Sequence, residues 1–181
     1  MSSYDWPGQF KQVYEAGLKR YDAGERNPQK LFSKSELEFL ASIGCTGQEL
    51  FDFIDDGVRY GEPDFETTLL TTAVRRDYFL LEQNGIPSKK VVSMDSLPPK
   101  RQEVDGIPWL PRLIVKARIK LRGEMPDDLM YGCGGDRPFL RSMNVELAEF
   151  LRLVWLCGDD DRKIIEYVKK RRARSTPGGH A

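Results

Sequence analysis

Apolar residues recur at Phe10, Val13, Tyr14, Gly17 and Tyr21, the i, i+3, i+4, i+7, i+11 spacing of a helix with one buried face. One hundred residues later the spacing returns at Leu110, Leu113, Ile114, Ala117 and Leu121. The two stripes predict helices over about 7–22 and 111–122. Pro7 and Pro111 are pre-set for a first helical turn, and Gly24 and Gly123 follow as stops.

The same shift of 100 places Phe39, Leu40, Ser42 and Ile43 on Phe139, Leu140, Ser142 and Met143. It also sets Glu49, Leu50 and Phe51 on Glu149, Phe150 and Leu151, and Phe53 and Ile54 on Leu153 and Val154. Farther on, a shift of 94 carries Leu70, Val74 and Arg75 onto Ile164, Val168 and Lys169. One offset serving separate blocks argues for an internal duplication over the chance likeness of two amphipathic helices. Each half then reads as one helical series, with short helices carrying Phe39 and Phe139 and Ser35 as an N-cap. Thr46 and Glu49 form a capping box for a helix to about Asp56, closed by Gly57. Its counterpart is capped by Asn144, runs to about Cys157 and is closed by Gly158. Asp64 opens a long helix to about Asn84, and the acidic run Asp159 to Asp161 opens the last one. Between the halves, Pro87, Pro98, Pro99 and Pro108 break any helical period, and Val91 and Val92 form one short strand at most. The expected architecture is all-α: a helical repeat over 1–84, a Pro-rich linker over 85–107, a second repeat over 108–174 and a disordered tail over 175–181. The repeats are expected to pack about a pseudo-twofold.

Composition narrows the chemistry. Lys plus Arg number 28 and Asp plus Glu number 28, and this zero net charge argues against a nucleic-acid binder with its usual basic excess. The basic run from Lys169 to Arg174 falls in a last helical turn, where cations suit the dipole. The single histidine, His180, sits in the tail, where nothing fixes its geometry as a catalytic base. Cys45, Cys133 and Cys157 are odd in number and lack zinc spacing, which points to a reducing compartment and no metal site. The acidic runs at Asp55 to Asp56 and Asp159 to Asp161 read as helix capping, without EF-hand spacing. With no leader and no apolar run long enough to span a bilayer, a cytoplasmic protein without a membrane partner is expected.

One loop holds the candidate chemistry. From Tyr131 to Arg137, Gly132, Gly134 and Gly135 surround Cys133 and are followed by Asp136 and Arg137. Glycines permit close backbone approach, and an arginine beside a helix start suits an anion and activates a cysteine. Set against this is a plain glycine-rich connection with a buried cysteine. Arg75 and Arg76 either complement a helix end or reach the glycine loop from the other half. No nucleotide loop of GxxxxGK[ST] or GxGxxG type is present, and no cofactor is expected. Trp109 reads as a hydrophobic staple, and it and Trp155 are expected in the core.

The stretch from Ile107 through Arg137 resembles the bacterial domain-of-unknown-function 5069 family, whose members carry a similar LPRLIxKARxKLxG helix. The family's following FLxxxxxxxxEFLxxV pattern is matched by Phe139, Leu140, Glu149, Phe150, Leu151 and Val154. The likeness covers about Val104 to Arg172, with the first half a weaker copy. It implies a small helical protein without an assigned activity, so it transfers no catalytic residue. The functional expectation is a module that binds a small anionic ligand or a partner protein through loop 131–137. The alternative is a cysteine-dependent enzyme using Cys133, with Asp136, on a small anionic or acyl substrate. Any such chemistry rests on Tyr131, Cys133, Asp136 and Arg137.

Overall fold

Both apolar stripes become buried helix faces in the computed structural model, which describes residues 5–175. The expected disordered tail with His180 lies, beyond Ser175, outside the described residues. The chain is predominantly helical and divides into two units, Met1–Ser88 and Lys89–Ala181.

The first unit contains α1 (Trp6–Asp22), α2 (Pro28–Leu31), α3 (Lys34–Ser42), α4 (Gly47–Tyr60) and α5 (Phe65–Leu81). Phe10, Tyr14 and Tyr21 of α1 pack with Leu31, Phe32, Leu40, Leu50 and Ile54 in one apolar cluster. Phe65, at the start of α5, meets the Tyr14 ring at 5.1 Å and so sets α5 against α1. Three boundaries differ from the sequence reading. Ser33, not Ser35, caps α3: its hydroxyl accepts from the Glu36 amide while Glu36 accepts from the Ser33 amide. Gly57 lies inside α4, which continues to Tyr60 and stops at Gly61 with φ 73°. α5 ends at Leu81, before Asn84. The four-residue α2 has no stripe of its own; Asn27 caps it and Leu31 anchors it.

The second unit contains a 3-10 turn (Met94–Ser96), β1 (Glu103–Val104), β2 (Ile107–Pro108), α6 (Leu110–Arg122), α7 (Asp136–Ser142), α8 (Leu147–Cys157) and α9 (Asp161–Ser175). α8 lies against both α6 and α9, so Phe150, Leu151 and Val154 are buried with Leu113, Ile114 and Ala117 and with Ile164 and Val168. β1 and β2 are antiparallel, with Val104 opposite Ile107. Asp105 (φ 50°) and Gly106 (φ 72°) make the turn, the Asp-Gly pair that two-residue hairpins favour. Val91 and Val92, read as one short strand at most, form none; the strands lie farther on. Segment 89–109 folds along α6: Leu97 joins Ile119 and Leu129 in a second apolar cluster, and Val92 N donates to Glu124 O at 3.0 Å. Glu146, not Asn144, is the N-cap of α8, and Asn144 takes φ 55° in the turn before it. Trp155 is half-buried rather than core.

Each unit makes the same set of bonds at its central turn. In the first, Ser42 Oγ donates to Phe39 O at 2.6 Å, Cys45 N to Leu40 O at 2.9 Å and Thr46 N to Glu49 Oε2 at 3.0 Å. In the second, Ser142 Oγ donates to Phe139 O at 2.7 Å, Val145 N to Leu140 O at 3.0 Å and Glu146 N to Glu149 Oε2 at 3.1 Å.

Candidate functional site

The glycine loop closes over a buried charge pair. Asp136 is 0% exposed and Lys116, from the middle of α6, is 2% exposed, with Nζ and Oδ2 2.5 Å apart. Such charges tolerate burial only when paired and hydrogen-bonded. Asp136 Oδ2 also accepts from the Gly132 amide at 2.9 Å, and Oδ1 accepts from Trp109 Nε1 at 2.9 Å. The carboxylate thus has three donors, from α6, from the loop and from the turn before α6.

Cys133 borders this pair. Its Sγ accepts from Lys116 Nζ at 3.4 Å, and the residue is half-buried while both partners of the ion pair are sealed. The Asp136 and Arg137 amides donate to Cys133 O at 2.9 Å and 3.1 Å. Arg137 is 8% exposed, and its NH1 donates back to Gly132 O at 2.6 Å. Tyr131 is 2% exposed and donates to Leu147 O at 2.8 Å. Burial, with the Asp136 charge adding to it, pushes the Tyr131 phenol well above its ordinary range.

Two glycines are fixed by contact. Gly132 takes φ 85°, and a Cβ there would sit 2.5 Å from Leu147. A Cβ on Gly135 would sit 2.6 Å from the Trp109 ring, so this glycine lets the indole reach Asp136. Gly134 is exposed.

The structure therefore gathers Tyr131, Gly132, Cys133, Asp136 and Arg137 around Lys116 and Trp109, two residues that sequence reasoning missed. Trp109 is no staple: it has φ 72° and is half-buried with its N–H spent on Asp136. The signal for Lys116 was its place three residues after Leu113, at the flank of the apolar stripe. Arg75 and Arg76 lie in the first unit, and each is engaged there. Arg75 is 2% exposed, donates to Gln83 Oε1 at 2.9 Å and stands 5.3 Å over the Phe79 ring; burial lowers its pKa from the ordinary arginine value. Arg76 pairs with Asp77 at 3.4 Å and stands 5.0 Å over the Trp6 ring.

The other candidate groups have local duties. Asp55 accepts from Tyr21 OH at 2.6 Å and pairs with Arg59, and Asp161 pairs with Arg118. No group of three or more His, Cys, Asp or Glu placed to hold a metal occurs among the described residues. Among these residues no helix is long and apolar enough to cross a membrane.

Comparison with curated proteins and with solved structures returned no match. A family model does match, and its span takes in α6, the glycine loop, Lys116 and Trp109. Residues 96–178 match the model of the family described as Domain of unknown function (DUF5069).

Proposed function

We propose that the second unit is a binding module for a small anionic or acyl ligand, taken at loop 131–137 through Cys133. The observation that carries this reading is a half-buried thiol held 3.4 Å from the Lys116 ammonium by a loop whose other polar groups bond inward. A cation against a sulfur suits a cysteine nucleophile, so the half-buried sulfur is the group that meets the ligand. Arg137 and the amides of residues 136 and 137 then shape the loop rather than touch the ligand, since their bonds run to Gly132 and Cys133 carbonyls.

A second reading, a cysteine-dependent enzyme, draws on the same contact. There the Cys133 sulfur attacks an acyl carbon, the leaving group departs, and the Lys116–Asp136 pair fixes the charge beside the sulfur. Acetyl phosphate tests both, because it is anionic and carries an acyl group. The full chain is expected to show a saturable rise in Tm with acetyl phosphate or inorganic phosphate, absent in Cys133→Ala. Stoichiometric acetylation of Cys133 without release of free acetate marks a binding module, and turnover marks an enzyme. If no small anion shifts Tm, the small-ligand reading fails and a protein partner is left.

We also infer that the two units descend from a duplication, joined through residues 85–107. The support is the set of equivalent bonds at Ser42 and Ser142, Cys45 and Val145, and Thr46 and Glu146, each 100 residues apart.

A further inference from the structure

Lys116 and Cys133 are a sealed amine and a half-buried thiol in direct contact, and the proposed ligand site uses only the thiol. The amine is 2% exposed and held from behind by Asp136, with 2.5 Å to the carboxylate and 3.4 Å to the sulfur. Lys116 comes from α6 while Cys133 comes from the loop, so a bond between them would fasten the loop to the helix.

We propose that Lys116 and Cys133 form an oxidant-dependent sulfur–nitrogen cross-link, a modification site that fastens the loop to α6 when oxidised and releases it when reduced. The oxidant is a peroxide. In the first step the Cys133 sulfur attacks hydrogen peroxide: the O–O bond breaks, an S–O bond forms, water leaves and sulfur is oxidised by two electrons to the sulfenic acid. In the second step Lys116 transfers one ammonium proton to Asp136 Oδ2, and the freed amine attacks the sulfenic sulfur. The S–O bond breaks as the S–N bond forms, and the hydroxyl leaves as water with the second amine proton. In sum, thiol, ammonium, carboxylate and one peroxide give the sulfenamide, the carboxylic acid and two waters. Sulfenic acids condense in this way with backbone nitrogen, and here the Lys116 amine stands 3.4 Å from the sulfur. Two molecules of an external thiol reverse the bond, returning thiol and amine and leaving their own disulfide.

The geometry favours this product over simple over-oxidation. Burial of Lys116 keeps its nitrogen fixed against the sulfur, and the Asp136 carboxylate that must take the proton already accepts from it. Gly132 N and Trp109 Nε1 remain as donors to that side chain after it is protonated. The proposal rests on the Lys116–Cys133 contact alone and stands whether or not the loop takes a ligand.

The test uses the full chain treated with hydrogen peroxide, alkylated, digested and analysed by mass spectrometry. The expected product is a peptide pair joining Lys116 to Cys133, lighter than the sum of its parts by two hydrogens. Tryptic cleavage after Lys116 should be lost, and dithiothreitol should restore both cleavage and alkylation of Cys133. Cys133→Ser should abolish the product. A Cys45→Ser/Cys157→Ser variant should retain it, which separates it from a disulfide. Cys133 recovered only as sulfinic or sulfonic acid, or linked to a backbone nitrogen, overturns the proposal. Because the linked pair is sought in the unaltered chain, the result does not depend on any variant folding.

Discussion

Asp136 determines more of its surroundings than any other single residue of the loop. Its two oxygens collect donors from Lys116, Trp109 and Gly132. Removing either partner of this sealed pair leaves an uncompensated charge, a loss of about 3–5 kcal/mol for a buried pair. Lys116→Met should therefore destabilise the chain by about that amount, and Asp136→Leu similarly. The double variant Lys116→Met/Asp136→Leu should cost far less than the sum, because no orphan charge remains. Urea unfolding followed by circular dichroism measures all three; an additive double variant would show that the two charges are not coupled. Lys116 does not announce itself in sequence. A lysine beside an apolar stripe reads as a solvated flank, and only a loop returning from 20 residues away makes it a buried cation. Cys133, Asp136 and Arg137 were legible because glycines surround them. That signal, however, does not say that the acid and the arginine turn inward.

At the scale of elements, the long helices were legible from period and caps, and the short ones were not. α1 and α6 each bury their stripe because several apolar positions repeat in register. α2 is too brief to show a period, and the β1–β2 hairpin was hidden because prolines dominated the reading of its segment. The Asp105–Gly106 pair was the available signal. Helix starts also carry the pH response. Asp64 caps α5, and hydrogen bonds from the Thr67 side chain and amide hold its carboxyl below the ordinary value of 3.8. Glu36, in the α3 box, would be raised by its partial burial, but bonds from Arg20 and Ser33 bring it below 4.5. A carboxyl depressed in the fold stabilises it above the unfolded pKa, and that contribution disappears as pH falls through the folded one. Asp64→Ala should thus cost about 1 kcal/mol at neutral pH, the usual worth of an N-cap. Its difference from the parent chain should shrink as pH drops below the ordinary aspartate range. Urea midpoints across that range check it, and a difference constant with pH would remove the charge from the explanation.

At the scale of the whole molecule, the question is where the second unit begins. A cut at residue 108, the start of the second stripe, keeps α6 to α9 but discards the segment that lies along α6. That segment is structural: Leu97 is 7% exposed against Ile119 and Leu129, and Val92 and Met94 pack on the same cluster. Arg112 also donates to Pro98 O at 2.8 Å, and Trp109 N to Gln102 O at 3.2 Å. Loss of the Leu97 contact alone uncovers an apolar face of α6, worth about 2 kcal/mol for a buried leucine. The backbone bonds that set Trp109, and through it Asp136, go with it. A fragment of residues 89–181 should therefore unfold cooperatively with helical circular dichroism, while a fragment of 108–181 should melt at lower temperature with a broader transition. Trp109 fluorescence need not be isolated from that of Trp155, because the comparison between fragments holds Trp155 constant. Equal stability of the two fragments would show that residues 89–107 are only a tether. In the expected case, the unit that holds the Lys116–Asp136 pair is defined by a core and a polar cluster that both need the proline-rich segment. The family match starting at residue 96 rather than at the helix agrees with that dependence.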